Sequence, residues 1–214
     1  MAIITKMEEQ KNKKRVNIFV DDAFFCGLNK ETAVIFRLKV GNVIEESKLQ
    51  EALVESEVKS AFEKASEYLG SRMHTKKELF DKLLKKGYQK DVILKAIEKL
   101  EEYHYVDDEL YIKQFITENK RYSKRMIENK LREKGIGIDI VSGAIDEHFS
   151  DDGEYELCLK QAEKYVKSKD MSKEGAYQKL VASLARKGFA FDMIKQVCKK
   201  VVSAEDADKI EDLD

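Results

Sequence analysis

The sequence predicts a mainly α-helical protein made of tandem three-helix-bundle repeats, three modules preceded by a small N-terminal β-hairpin region. Three observations carry that expectation. The 214 residues contain no proline, where average usage would put about 5%. Proline removes a helix donor and clashes with the preceding turn, so its absence suits a chain that is helical nearly throughout. From about residue 58 the apolar residues recur with a helical period. Finally, one segment recurs three times, as KLLKKGYQKDVILKAIEKL (82–100), KLREKGIGIDIVSGAIDEH (130–148) and SLARKGFAFDMIKQVCKKV (183–201), and internal repeats of this kind decide the architecture.

The first third differs in kind. Arg15–Val20 and Ala23–Cys26 are β-branched and aromatic runs separated by Asp21-Asp22, a pattern that predicts a hairpin. Ile3–Thr5 is a candidate third strand, with KNKKR as an exposed loop. Asn29 is placed to cap a short helix through Thr32–Lys39, ended by Gly41, and Ser47 to cap the next.

Within the repeats, a shift of 48 residues aligns Leu83, Lys86, Gly87, Asp91, Ala96 and Ile97 with Leu131, Lys134, Gly135, Asp139, Ala144 and Ile145. Leu184, Lys187, Gly188 and Asp192 fall in the same register. Each glycine is expected to take the left-handed position that ends a helix, after a lysine suited to a helix C-terminus. Tyr88, Ile136 and Phe189 then seal the turn, and the aspartates start the next helix. Thr75 and Ser123 stand where hydroxyl N-caps belong, while the third copy is expected to carry an extra turn, from Ser172 to Gly188. A preceding helix completes each unit, at 58–71 and roughly at 108–121 and 154–168. The domain plan is therefore 1–57 (hairpin and short helices), repeats at 58–106, 107–150 and 151–202, and an acidic tail at 203–214. Modules this small are stabilised by stacking on neighbours.

Composition narrows the function. Hydrophobic content of 43% suffices for real cores, and 38% charge exceeds the roughly 25% of ordinary domains. Net charge is −1, which argues against a strongly basic nucleic-acid binder, but the distribution is uneven. Residues 58–150 hold 19 Lys/Arg against 17 Asp/Glu, a net of +2, and residues 203–214 hold one Lys against six acids, a net of −5. The tail is expected to stay solvated. Cys26, Cys158 and Cys198 are odd in number and far apart, no disulfide framework, which points to a reducing, cytoplasmic setting. MAIITKMEEQ lacks the plan of a signal peptide, and no apolar run approaches the ~18 residues needed to span a bilayer.

The search for chemistry finds little. There is no P-loop and no GxGxxG, since Gly135-Ile136-Gly137 lacks the third glycine. His74, His104 and His148 have no metal-site company and read as surface or boundary residues. The pairs Asp21-Asp22, Asp107-Asp108 and Asp151-Asp152 are of the kind that a metal-dependent nuclease uses. One pair lies in a hairpin turn and two precede helices, where acids cap and complement the dipole. The expectation is no enzyme, no metal and no cofactor. Basic residues stand out instead: Arg72, Lys76 and Lys77 at the turn of repeat one, Lys120, Arg121, Lys124 and Arg125 at the same turn of repeat two, then Lys130 and Arg132 along the following helix. They are candidates for contacting phosphates or an acidic protein groove.

The stretch Arg72-x2-Thr75-x2-Glu78-Leu79-x3-Leu83-x3-Gly87-Tyr88, followed by Leu100-x4-Tyr105-Val106-Asp107-Asp108-x2-Tyr111, resembles the signature of the RecX family. The Lys-Gly-Ile and Lys-Gly-Phe turns of repeats two and three fit that family's tandem plan, and the hairpin resembles the extension of its longer members. The likeness covers about residues 14–202. It implies a monomeric negative modulator of the RecA recombinase. Such a protein binds in the groove of the RecA–single-stranded-DNA filament and restrains its extension, ATP hydrolysis, strand exchange and co-protease activity, in homologous recombination, DNA repair and the SOS response. Weak direct binding to single- or double-stranded DNA comes with it. A stand-alone DNA-binding helical repeat protein is the alternative, and it predicts tight, steeply salt-dependent DNA binding without RecA.

Overall fold

The computed structural model describes residues 2–148, 151–171, 173 and 175–202. The acidic tail and Ser172 lie outside the described residues. Two compact units result, Met1–Asp107 and Asp108–Asp214.

In the first unit, β1 (Ala2–Glu9), β2 (Arg15–Val20), β3 (Ala23–Asn29) and β4 (Val43–Ile44) form one antiparallel sheet in the order β3-β2-β1-β4. The hairpin turns on Asp21 (φ 47°) and Asp22 (φ 67°), which pair Val20 with Ala23. Positive φ at both central residues matches the twist of the flanking strands. Alternation does the rest: Val16 and Ile18 on β2 and Cys26 and Leu28 on β3 are buried together with Ile4. The third strand is thus real, and longer than its three-residue apolar core suggests.

The short helix differs from expectation. α1 runs only Lys30–Ile35, and Asn29 makes no side-chain cap. Its backbone N–H donates instead to Ser56 Oγ (2.7 Å) and its amide to the Ser56 carbonyl (3.4 Å), which latches the end of β3 to the next helix. Arg37 at φ 54°, not Gly41, turns the chain after α1. The next helix, α2, spans Glu46–Leu69, with Glu45 rather than Ser47 at its N-cap. It starts well before residue 58 because its two halves serve two cores. Leu49 and Ala52 pack under the sheet, and Val58, Ala61 and Ala65 pack into the first repeat.

That repeat is completed by α3 (Lys76–Lys85) and α4 (Lys90–Glu102), whose Leu79, Leu83, Val92, Ile93, Ala96, Ile97 and Leu100 line one core. The second unit holds α5 (Asp108–Glu118), α6 (Lys124–Glu133) and α7 (Ile138–His148), then α8 (Asp151–Ser168), α9 (Ala176–Arg186) and α10 (Phe191–Val201). Gly87, Gly135 and Gly188 take φ of 92°, 78° and 91°, the left-handed conformation that costs a Cβ-bearing residue about 1–2 kcal/mol. Ile136 and Phe189 behind them are buried, and Tyr88 meets Ser60 Oγ at 3.0 Å. Asp91, Asp139 and Asp192 sit in the first turns of the following helices. Among the described residues the third copy's second helix is hardly longer than the others: α9 has 11 residues against 10 in α3 and α6, with Gly175 at φ 72° at its N-cap, while Ser172, where the extra turn is expected to begin, lies outside the described residues.

Candidate functional site

The basic turn of the first repeat is neutralised. Thr75 Oγ1 accepts from the Glu78 N–H (3.1 Å) while the Thr75 N–H donates to the Glu78 carboxylate (3.4 Å), a reciprocal capping box. The same carboxylate takes the Arg72 guanidinium (3.3 Å) and faces His74 Nδ1 (3.3 Å). Lys76 donates to Glu101 at 2.7 Å and Lys77 pairs with Asp81. His74, expected at the surface or a boundary, is buried against Tyr68. Burial and the neighbouring Arg72 charge hold its pKa below the ordinary 6.5, against the opposing pull of Glu78.

The turn of the second repeat has the same backbone and a different surface. Ser123 Oγ accepts from the Met126 N–H at 3.1 Å, so the cap survives. The acids do not. Counting 48 residues on from Glu78, Asp81 and Glu101 gives Met126, Asn129 and Phe149. Lys120, Arg121, Arg125 and Arg132 are exposed and Lys130 is half-buried, and none has a carboxylate within 4.0 Å among the described residues. Arg121 lies 5.0 Å from the Tyr122 ring centroid and Lys130 5.2 Å, so two cations share one aromatic ring. The Lys124 N–H donates to Glu154 at 3.1 Å. The structure therefore separates the nine candidates: three neutralised in the first unit, and a mostly unneutralised group in the second.

Two lysines that sequence reasoning did not select join that group. Lys187, in the α9–α10 turn, donates to Gln161 at 2.7 Å, and its carbonyl accepts the Ser123 N–H at 2.9 Å. Its ammonium is held below the ordinary range by burial first, then by the charges of Lys164 and Arg121. Lys187 was visible in the sequence only as the lysine of a repeated Lys-Gly turn; its approach to Arg121 depends on how α9 and α10 meet α6.

The remaining chemistry is slight. Asp21, in the hairpin turn, accepts from the Ile3 N–H of β1 (3.1 Å), and Asp108 opens α5; of Asp151 and Asp152 only the place at the start of α8 is described. His104 is exposed; the His148 side chain lies outside the described residues. Burial pushes the thiols of Cys26 and Cys158 up to about 11 and about 12 and raises that of Cys198, so all three are protonated and poor nucleophiles at neutral pH. No group of three or more His, Cys, Asp or Glu side chains fit to hold a metal occurs among the described residues. Nor is any described helix long and apolar enough to cross a membrane.

Fold and surface together define a tandem three-helix repeat protein with a sheet-bearing N-terminal region. Residues 2–45 match the N-terminal domain of the regulatory protein RecX, 61–100 its first three-helix domain and 152–198 its third. Regulatory protein RecX of Clostridioides difficile is 34% identical over 213 residues, covering 97% of this chain and 100% of its own. That of Bacillus subtilis is 32% identical over 213 residues, 97% of this chain and 80% of its own. The chain belongs to the RecX family of regulatory proteins. A crystal structure of a regulatory protein RecX shares the fold at a TM-score of 0.65 and 24% identity, over 92% of this chain and 98% of that one. RecX from Lactobacillus salivarius aligns at 0.56 and 26% identity, over 68% and 96%.

Proposed function

We propose that this protein is a negative modulator of the RecA recombinase, binding as a monomer in the groove of the RecA–single-stranded-DNA filament and restraining filament extension, ATP hydrolysis, strand exchange and co-protease activity. Membership of the RecX family over nearly the whole chain carries the reading. The setting is the cytoplasm, in recombinational DNA repair and the SOS response. Residues 58–106, 107–150 and 151–202 act as three contact modules, so that several weak contacts along a filament multiply one another. Arg72, Lys76, Lys77, Lys120, Arg121, Lys124, Arg125, Lys130 and Arg132 form the contact surface. Lys120, Arg121, Arg125, Lys130 and Arg132 contribute most, because a cation already paired with an acid gains less from a new partner.

The test is a time course of RecA ATPase on single-stranded DNA with substoichiometric protein added. The rate is expected to decline progressively, and an unchanged rate sinks the proposal. Reversing the charge of Arg121, Lys124 and Arg125 to Glu should weaken inhibition at least several-fold. Undiminished inhibition removes that cluster from the contact surface. Weak binding to DNA alone accompanies this activity; the near-neutral net charge of −1 argues against DNA binding as the main one.

A further inference from the structure

Within the second unit, the start of α6 and the α9–α10 turn meet in a tight seam. The Ser123 N–H donates to the Lys187 carbonyl at 2.9 Å. A Cβ on Gly188 would lie 2.5 Å from Ser123 Oγ and 2.7 Å from Met126 Cβ, whereas one on Gly87 or Gly135 would meet nothing within 4 Å. Only the third of the three repeated glycines is pressed against another helix.

That seam gathers charge that no carboxylate among the described residues cancels. Arg121 and Lys130 flank the Tyr122 ring from the second repeat. Lys187 and, from α8, Lys164 come from the third: Lys187 reaches Gln161 on α8 at 2.7 Å, Lys164 stands three residues further along the same helix face, and the charges of Lys164 and Arg121 both bear on the Lys187 ammonium. None of the four has a carboxylate within 4.0 Å among the described residues, and Lys187 is offered only the neutral oxygen of Gln161. Crowded like charges, one of them half-buried, raise the free energy of the unliganded protein, and an anion relieves that cost. The closely spaced charges of a phosphodiester strand match four gathered cations better than an isolated carboxylate does.

We propose that this seam is a composite phosphate-binding site, in which Arg121, Lys130, Lys164 and Lys187 hold the backbone phosphates of a nucleic acid and which exists only while the third repeat is docked on the second. It supplies the nucleic-acid contact of the filament-binding function and to that extent rests on it, but its test needs no RecA. Fluorescence anisotropy of a labelled single-stranded oligonucleotide is titrated with the full chain across a salt series. Arg121→Gln and Lys187→Gln should each weaken binding roughly threefold to tenfold and reduce the slope of log affinity against log salt by about 0.7. Lys99→Gln, which removes a lysine already bound to Glu55, should leave both unchanged. Lys187→Gln keeps the carbonyl that Ser123 uses, and Lys164→Gln on the exposed face of α8 gives the same reading if the seam variant folds poorly. Absence of oligonucleotide binding at low salt overturns the site, as do variants with wild-type affinity and slope. Variants that keep oligonucleotide binding but lose RecA inhibition assign the cluster to protein carboxylates and also overturn it. Loss of oligonucleotide binding with RecA inhibition intact upholds the site and removes it from the filament mechanism.

Discussion

Thr75 and Ser123 perform the same task with different company. Each hydroxyl accepts the backbone N–H three residues on, a relation readable from sequence because it is local and fixed by helix geometry. The partners farther away are not readable in that way. His74 is buried because Tyr68 on α2 packs edge-on against it at 6.3 Å, a contact between that helix and the loop after it that no helical period announces. Its buried, uncharged state has a consequence for stability. The folded pKa is depressed below 6.5, so above 6.5 neither state binds the proton and the full stability is present. As pH falls through 6.5 toward the folded value, the unfolded chain takes up a proton that the folded chain resists, and stability is lost. Urea midpoints measured from pH 7.5 down to 5.5 should fall more steeply for the wild type than for His74→Gln; parallel curves would remove His74 from the linkage. At Thr75, replacement by Ala loses the cap and strands the Glu78 N–H, at a cost of about 1 kcal/mol, seen as a lowered urea midpoint with unchanged slope.

Among the elements, the repeated turns were the clearest message in the sequence, because a glycine between a lysine and a large apolar residue has one economical conformation. Element ends were harder. α2 reads as two pieces because its apolar pattern serves the sheet with Leu49 and Ala52 and the repeat with Val58, Ala61 and Ala65, two faces in succession on one helix. Asn29 stands at the N-cap of α1 as expected, but its side chain makes no cap bond there, because its partner, Ser56, lies 27 residues away. The three glycines make a sharp comparison at this scale. Gly87→Ala and Gly135→Ala meet open space and should lose only the left-handed backbone cost of about 1–2 kcal/mol. Gly188→Ala adds a Cβ 2.5 Å from Ser123 Oγ and 2.7 Å from Met126 Cβ, an overpacking cost of about 1–3 kcal/mol more. Chemical denaturation of the three variants should rank Gly188→Ala clearly least stable. Equal losses would mean that the seam yields without cost.

Across the whole molecule, the array of modules was legible and the charge pattern only half so. The sequence shows basic residues at equivalent turns of two repeats, yet only the three-dimensional partners reveal that Glu78, Asp81 and Glu101 cancel one set while Lys164 and Lys187 enlarge the other. Core placement leads to a last expectation. The buried cluster under the sheet draws on Ile4 through Ala52, and that of the first repeat on Val58 through Val106. Both close within Met1–Asp107, and α2 ties them by contributing to each, with the Asn29–Ser56 latch between. A domain boundary drawn at residue 57 would cut this helix in its interior and leave each core short of one wall. The fragment Met1–Asp107, which has two cores and an intact connecting helix, should therefore fold alone with one cooperative transition, since helix and sheet cannot unfold separately without breaking α2. The fragment beginning at residue 58 loses the first turns of α2 and the sheet that covers them, and should melt at a lower temperature or without cooperativity. Circular dichroism melts of the two fragments decide the matter: equal cooperativity and equal midpoints would show that the N-terminal sheet is an appendage, and that α2 does not couple it to the first repeat.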